Sequence, residues 1–83
     1  LVNKVVPADR LMEEARELAG KFVRKSAPVM ALILQAATQG LGGALEAGLA
    51  LEADLFGRSV ATEDSREGLG AFIEKREAKF EDR

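Results

Sequence analysis

The fold of this chain is decided by the stretch Ala61-Thr62-Glu63-Asp64-Ser65-Arg66-Glu67-Gly68-Leu69-Gly70-Ala71-Phe72-Ile73-Glu74-Lys75-Arg76-Glu77-Ala78-Lys79-Phe80. Thr62 is suited to the N-cap of a helix, and acidic residues follow it near the positive end of the helix dipole, namely Glu63, Asp64 and Glu67. Leu69, Phe72 and Ile73 recur on one face and form an apolar stripe. The stretch therefore predicts a capped final helix with a mixed-charge end.

Two glycines interrupt this final helix. Gly68 and Gly70 each disfavour a helix interior by about 1 kcal/mol relative to alanine. Their presence indicates close packing against another element, although a frayed last helix would also tolerate them. The acidic residues are interpreted as helix-start groups rather than metal ligands, because the chain contains no histidine.

Three more helices are predicted upstream, which makes the chain all-α. Apolar residues at helical spacing predict an amphipathic helix over residues 8–25, preceded by a short strand or extended segment over residues 1–6. Ser26 and Pro28 are typical of a second helix start, and the glycines at positions 40, 42 and 43 end that helix. A third helix is predicted over residues 44–60. No linker or repeat divides the chain, so residues 1–83 are interpreted as a single helical domain.

Composition excludes several classes of function. The 83 residues include no cysteine and no histidine, so there is no thiol nucleophile, no Cys-type zinc site and no imidazole base. A net charge of −2 argues against nucleic-acid binding. Self-contained catalysis and a resident cofactor are therefore not expected.

The second helix is unusually apolar, since residues 26–45 contain no charged side chain. Polar and glycine residues interrupt the run, so we interpret it as a buried helix and not as a membrane span. Two alternatives remain for what buries it: a compact core within the chain, or contact with another chain or domain. No cleavable signal is recognised, and the expected location is the cytoplasm.

The residues from Thr62 to Phe80 resemble the carboxyl-terminal end of enoyl-CoA hydratases, the crotonase family. The resembling positions are Thr62-Glu63-Asp64, Glu67-Gly68, Ala71-Phe72, Glu74-Lys75-Arg76 and Phe80. Leu1–Pro7 is similar to the segment that closes the family's catalytic core, and Leu49–Phe56 is similar to its penultimate long helix. Ala78 departs from the proline that many members carry. The resemblance covers essentially the whole chain in collinear order.

This resemblance implies a binding and assembly role. In the family, this helical region packs over the active site, contributes to the oligomer, and reaches the coenzyme A (CoA) of a neighbouring subunit. The resemblance accordingly implies that Lys75 contacts a CoA phosphate and that Phe72 and Phe56 form apolar walls. The alternatives are that the two phenylalanines are ordinary core residues and that Lys75 is a solvated or dipole-facing cation. No catalytic residue is assigned, because the paired glutamates and oxyanion-hole amides of the family match nothing in this chain.

Two functions are weighed at this point. The first is the carboxyl-terminal region of an enoyl-CoA hydratase, inactive by itself, whose full-length enzyme hydrates trans-2-enoyl-CoA thioesters and is a homo-oligomer. The alternative is a free-standing helical module for protein interaction, which the apolar second helix would suit. No nucleic-acid or membrane partner is expected from either.

Overall fold

Four α-helices and one short turn of 3-10 helix make up the regular structure of the chain. The computed structural model describes residues 1–83, with a 3-10 turn at Ala8–Arg10 followed by α1 (Leu11–Val23), α2 (Ala27–Gly40), α3 (Leu45–Val60) and α4 (Glu63–Glu74). No residue lies in a β-strand. The all-α prediction is therefore confirmed.

The beginning of the chain differs in detail from the prediction. The helix expected over residues 8–25 is divided, because the first three residues form a 3-10 turn in which the Arg10 N–H donates to the carbonyl of Pro7 at 3.0 Å. Residues 1–6 form no strand, since no neighbouring strand is present to accept their backbone hydrogen bonds. Of the two alternatives for this segment, the strand is wrong.

The principal helix pair is formed by α2 and α3, which pack along one another. Their closest approach involves Gly40 at the end of α2 and Gly48 in the first turns of α3. A Cβ atom on Gly48 would lie 2.9 Å from the carbonyl oxygen of Gly40, closer than such atoms pack in proteins. Glycine is therefore required at position 48 by the separation of the two helix backbones.

The helix α2 is covered on one side only, by α3. None of its residues is buried, and Ile33 and Leu34 are both more than half exposed. The prediction of a buried helix is therefore wrong for the chain by itself, because only α3 packs extensively against α2. None of the four α-helices combines the length and the hydropathy needed to cross a membrane.

The chain as a whole is open. Its accessible surface is 7049 Å², whereas a compact monomer of this mass exposes about 4800 Å². Its radius of gyration is 16.3 Å, against about 12 Å for a compact domain of this length. Only four residues are buried: Ser26, Leu55, Asp64 and Ala71. Of the two alternatives for the apolar second helix, a compact core within the chain is therefore wrong.

Candidate functional site

The amino-terminal end of α4 is capped as the sequence predicts. The Thr62 hydroxyl oxygen accepts a hydrogen bond from the Ser65 N–H at 3.1 Å, and Thr62 itself has the extended backbone of an N-cap. Asp64 follows in the first turn and is only 3% exposed. This cap sets the start of α4, which has 12 residues and ends at Glu74.

The carboxyl-terminal end of α4 is a left-handed turn at Lys75. This residue has φ 55° and ψ 41°, and its N–H donates to the carbonyl of Phe72 at 3.3 Å. A left-handed residue commonly ends a helix, but glycine usually supplies it because a Cβ atom crowds the neighbouring carbonyl. Lys75 therefore holds a backbone position where its side chain brings no conformational advantage.

The Lys75 side chain is free within the chain. Lys75 is exposed to solvent and takes part in none of the ion pairs of the chain. The neighbouring arginine, Arg76, is instead fully engaged with carboxylates. An ammonium group that lies free at a helix end is available to an external anion.

Glu67 organises the turn after α4. Its carboxylate accepts two hydrogen bonds from the Arg76 guanidinium, at 2.6 and 3.0 Å, and one from the Lys79 N–H at 2.8 Å. The Arg76 hydrogen bonds are the main reason that the pKa of Glu67 falls from 4.5 to about 2. The interpretation of Glu67 as a helix-start group is therefore wrong, because its charge neutralises Arg76 beyond the helix end.

Asp64 is a buried carboxylate at the other end of α4. Burial raises its pKa, but the nearby Ser26 hydroxyl and the backbone amides of residues 81–83 outweigh that effect and hold the pKa below its ordinary value. Its Oδ1 accepts from the Glu81 N–H at 2.8 Å. Asp64 Oδ2 and Ser26 Oγ are buried and lack a partner at ordinary hydrogen-bond geometry. The ionised form of Asp64 is thus held by the tail of the chain.

The predicted aromatic walls are exposed. Phe72 is 83% exposed and lies one turn before Lys75 on α4, so these two residues share the same end of the helix. Phe56 is 69% exposed and lies on α3. The two phenylalanines are therefore not core residues of the chain by itself. Phe72 and Lys75 lie three positions apart at the same end of α4, whereas Phe56 lies on a different element.

Phe56 belongs to an apolar groove between α2 and α3. The groove has a volume of about 820 Å³ and nine of its eleven lining residues are hydrophobic. The lining comes from α2 and α3 alone and includes neither Phe72 nor Lys75. Within one chain, Phe56 thus offers apolar area at a surface separate from the end of α4.

A loss of stability in acid is expected from the Glu67 pKa. The pKa of Glu67 is lowered from 4.5 to about 2 in the folded state, so the ionised carboxylate stabilises the fold fully above about pH 5. This stabilisation is lost as the pH falls from about 5 to about 2. Glu67→Gln should therefore lower the urea midpoint at pH 7 but have little effect near pH 2. Urea titrations followed by circular dichroism at several pH values provide the measurement.

The matched control for this titration is Glu77→Gln. Glu77 lies in the same tail, and only its backbone carbonyl, not its carboxylate, contacts Arg76. This variant should leave the urea midpoint nearly unchanged at every pH. A Glu67→Gln effect of equal size at pH 7 and pH 2 would show that the carboxylate charge does not hold the turn.

The arrangement defines the helical part of a crotonase fold. A solved structure of an enoyl-CoA hydratase from Bacillus anthracis superposes with a TM-score of 0.87 and 33% identity, covering 95% of this chain and 31% of that one. The family model described as enoyl-CoA hydratase/isomerase matches residues 1–83. The chain belongs to the enoyl-CoA hydratase/isomerase family, and the resemblance predicted from the sequence is confirmed.

Two curated relatives illustrate the range of the family. The chain is 40% identical to a crotonyl-CoA hydratase from Syntrophomonas wolfei over 80 residues, which are 96% of this chain and 31% of that protein. It is 43% identical to a 2,3-dehydroadipyl-CoA hydratase from Escherichia coli over 83 residues, which are 100% of this chain and 32% of that protein. The chain therefore spans about a third of the length of these relatives.

Several residues that organise this site were not recognised from the sequence. The sequence analysis names Glu67 as a helix-start residue and Arg76 as a position of the resemblance, but predicts no contact between them, and it assigns nothing to Asp82. The glycine pattern carried the one usable signal, because Gly68 lies where the Phe80 ring packs: a Cβ atom there would be 3.4 Å from that ring. Gly68 therefore packs against Phe80 at ordinary contact distance, whereas a Cβ atom on Gly70 would meet only the Arg76 side chain, at 3.9 Å.

Proposed function

We propose that this chain is the carboxyl-terminal oligomerisation and CoA-edge-binding region of an enoyl-CoA hydratase-like enzyme. The full-length enzyme would hydrate trans-2-enoyl-CoA thioesters in fatty-acid β-oxidation. The observation that supports this most is the family match over residues 1–83 combined with the free Lys75 ammonium beside exposed Phe72. The single-domain boundary and the cytoplasmic location stay predictions.

The oligomerisation role is supported by the exposed apolar surface. Large hydrophobic side chains on all four α-helices are accessible, and the α2–α3 groove has no element of the same chain across it. Burying apolar area stabilises an assembly by about 25 cal/mol for each Å² removed from water. Monomeric proteins rarely leave so much apolar surface in contact with water. A homo-oligomer in which copies cover one another is therefore the proposed state.

The CoA-binding role is supported by the chemistry at the end of α4. The Lys75 ammonium is a flexible point charge suited to a phosphate of CoA, while Phe72 offers apolar area for the pantetheine chain. Phe56 would contribute a second apolar wall from α3, and all three residues would reach the CoA bound by a neighbouring subunit. CoA enters as part of the substrate, so no separate cofactor is proposed.

The chemical step is placed outside this chain. Hydration adds the hydroxyl of water to C3 and a proton to C2 of the enoyl group, and acid–base carboxylates and oxyanion-stabilising amides accelerate it. Two of its carboxylates are already engaged within the chain: Glu67 is neutralised by Arg76, and Asp64 is buried against backbone amides. The chain by itself is therefore proposed to bind and assemble without turning over substrate.

A chimera tests this function directly. We would replace the matching 80-residue region of the Syntrophomonas wolfei crotonyl-CoA hydratase by this chain. Hydration of crotonyl-CoA is followed by loss of the conjugated-thioester absorbance, and assembly is followed by sedimentation velocity. The chimera is expected to be active and oligomeric, whereas the 83-residue chain is expected to self-associate without activity.

Two controls make the chimera decisive. The Syntrophomonas wolfei enzyme lacking the region altogether should lose both activity and assembly. Robust turnover by the isolated chain would contradict its placement outside the chemical step. A chimera that folds but remains monomeric would contradict the oligomerisation role and favour a free-standing interaction module.

A further inference from the structure

The residues after α4 return along the helix and form what we call the C-terminal strap, residues 75–83. Its two ends are marked by the backbone. Lys75, with φ 55°, and Asp82, with φ 61°, are the non-glycine residues of the chain that have positive φ. Such conformations persist only where surrounding contacts stabilise them. The strap is therefore held in a defined path and is not a loose end.

The first half of the strap contacts the middle of α4, at Glu67 and Gly68. The Glu67 carboxylate receives the Arg76 side chain and the Lys79 N–H. The next residue along the strap, Phe80, lies with its ring over Gly68, and a Cβ atom on Gly68 would be 3.4 Å from that ring. Polar and apolar contacts thus alternate along this half of the strap.

The second half of the strap pairs with the first turn of α4. The Glu81 N–H donates to Asp64 Oδ1 at 2.8 Å, and the Asp64 N–H donates to the Arg83 carbonyl at 2.7 Å. The Arg83 side chain also lies 3.2 Å from the Glu63 carboxylate. The Asp64 N–H is one of those at a helix start that have no partner within the helix, and the strap supplies that partner.

The strap also reaches a second helix. Asp82 Oδ1 accepts a hydrogen bond from the N–H of Ala27, the first residue of α2, at 2.8 Å. The helix has no cap of its own, because Ser26 makes no side-chain capping bond and the first turn holds no acidic residue. Asp82 therefore satisfies a free N–H and places a carboxylate at the positive end of the α2 dipole.

Two buried polar residues lie where the strap meets the starts of α2 and α4. Ser26 and Asp64 are two of the four buried residues of this open chain, and both are polar. They lie where the start of α2, the start of α4 and the strap meet, since the Ser26 hydroxyl is among the groups that lower the pKa of Asp64. Buried polar groups are normally hydrogen-bonded, and here the Asp64 carboxylate is held through Oδ1, which accepts from the Glu81 N–H.

We propose that the C-terminal strap is a conformational clasp in which Asp82 acts as the N-cap of α2 from 55 positions away. It joins the starts of α2 and α4, two helices whose main packing partners are elsewhere in the chain or outside it. The clasp consists of contacts within the chain, so it holds whichever ligand Lys75 binds. Opening it would free the start of α2 while leaving the α2–α3 pair intact.

Amide hydrogen exchange at Ala27, measured by NMR on the 83-residue chain, tests the clasp. The Ala27 N–H has Asp82 as its acceptor, so Asp82→Ala should raise its exchange rate about tenfold, the size expected for a hydrogen bond to a charged group. Asp82→Asn keeps a side-chain oxygen and should restore part of the protection. The Met30 N–H, bonded to the Ser26 carbonyl, should keep its protection in both variants.

A matched control and a second readout separate the clasp from a general charge effect. Glu77→Gln removes one negative charge from the same strap but no side-chain contact, and should leave Ala27 unchanged. Asp82→Ala should also raise exchange at the Glu81 N–H, which pairs with Asp64. An Ala27 amide that exchanges freely in the unmodified chain, or that is unaffected by Asp82→Ala, would overturn the clasp.

Discussion

Replacing Gly48 by alanine is expected to destabilise the chain by about 1–3 kcal/mol, the range for inserting a methyl group into a close-packed contact. The new Cβ atom would lie 2.9 Å from the Gly40 carbonyl oxygen and 3.4 Å from its Cα. Both neighbours are backbone atoms, so no side chain can rotate away to make room. The helices α2 and α3 would have to separate, and Leu55, which is buried, would lose packing.

The chain provides a matched control for this prediction in the same helix. Gly57 also lies in the interior of α3, but no atom comes within 4 Å of a Cβ atom placed on it. Gly57→Ala should therefore stabilise the chain by about 0.5–1 kcal/mol through helix propensity alone. Urea denaturation followed by circular dichroism measures both variants. Two stabilising substitutions would show that the Gly40–Gly48 contact does not set the helix separation.

The parts of the fold that depend on local patterns were predictable from the sequence. The Thr62 cap and the glycine end of α2 follow from which residues suit particular backbone positions within one turn of a helix. The division at Arg10 was not predictable, because a 3-10 turn and the first turn of an α-helix use the same residue types.

The fate of the apolar second helix was only partly predictable. Its composition indicates burial but carries no information on which molecule provides the covering surface. The structure excludes a compact core within the chain, because α3 alone packs extensively against α2. The other alternative, contact of α2 with another chain or domain, stays a prediction.

The polar contacts of the strap could not be predicted from one sequence. The Asp82–Ala27 hydrogen bond joins residues 55 positions apart, and nothing in the neighbourhood of either residue indicates the other. The backbone conformation of Lys75 was also not predictable. Its position near the end of a helix suggested only a cation that faces the helix dipole. Its left-handed backbone shows that position 75 has a conformational requirement as well as a charge.

Lys75→Gly, made in the chimera with the Syntrophomonas wolfei enzyme, is expected to weaken binding of crotonyl-CoA about tenfold. A charge-assisted contact to a phosphate contributes about that much, and it would be lost with the ammonium group. The fold should become more stable by about 1 kcal/mol, because glycine relieves the left-handed conformation that lysine adopts at φ 55°. Binding and stability thus change in opposite directions, which a damaged helix end would not produce.

The measurements are KM and kcat for crotonyl-CoA, with the urea midpoint of the same protein. Lys75→Gly should raise KM and leave kcat nearly unchanged, since Lys75 is proposed to bind the CoA edge and not the reacting atoms. Lys75→Arg retains a cation and should restore most of the affinity, whereas Lys79→Gly, in the strap, tests whether any lost lysine has the same effect. An unchanged KM in Lys75→Gly would remove the CoA contact while leaving Lys75 as the residue that ends α4.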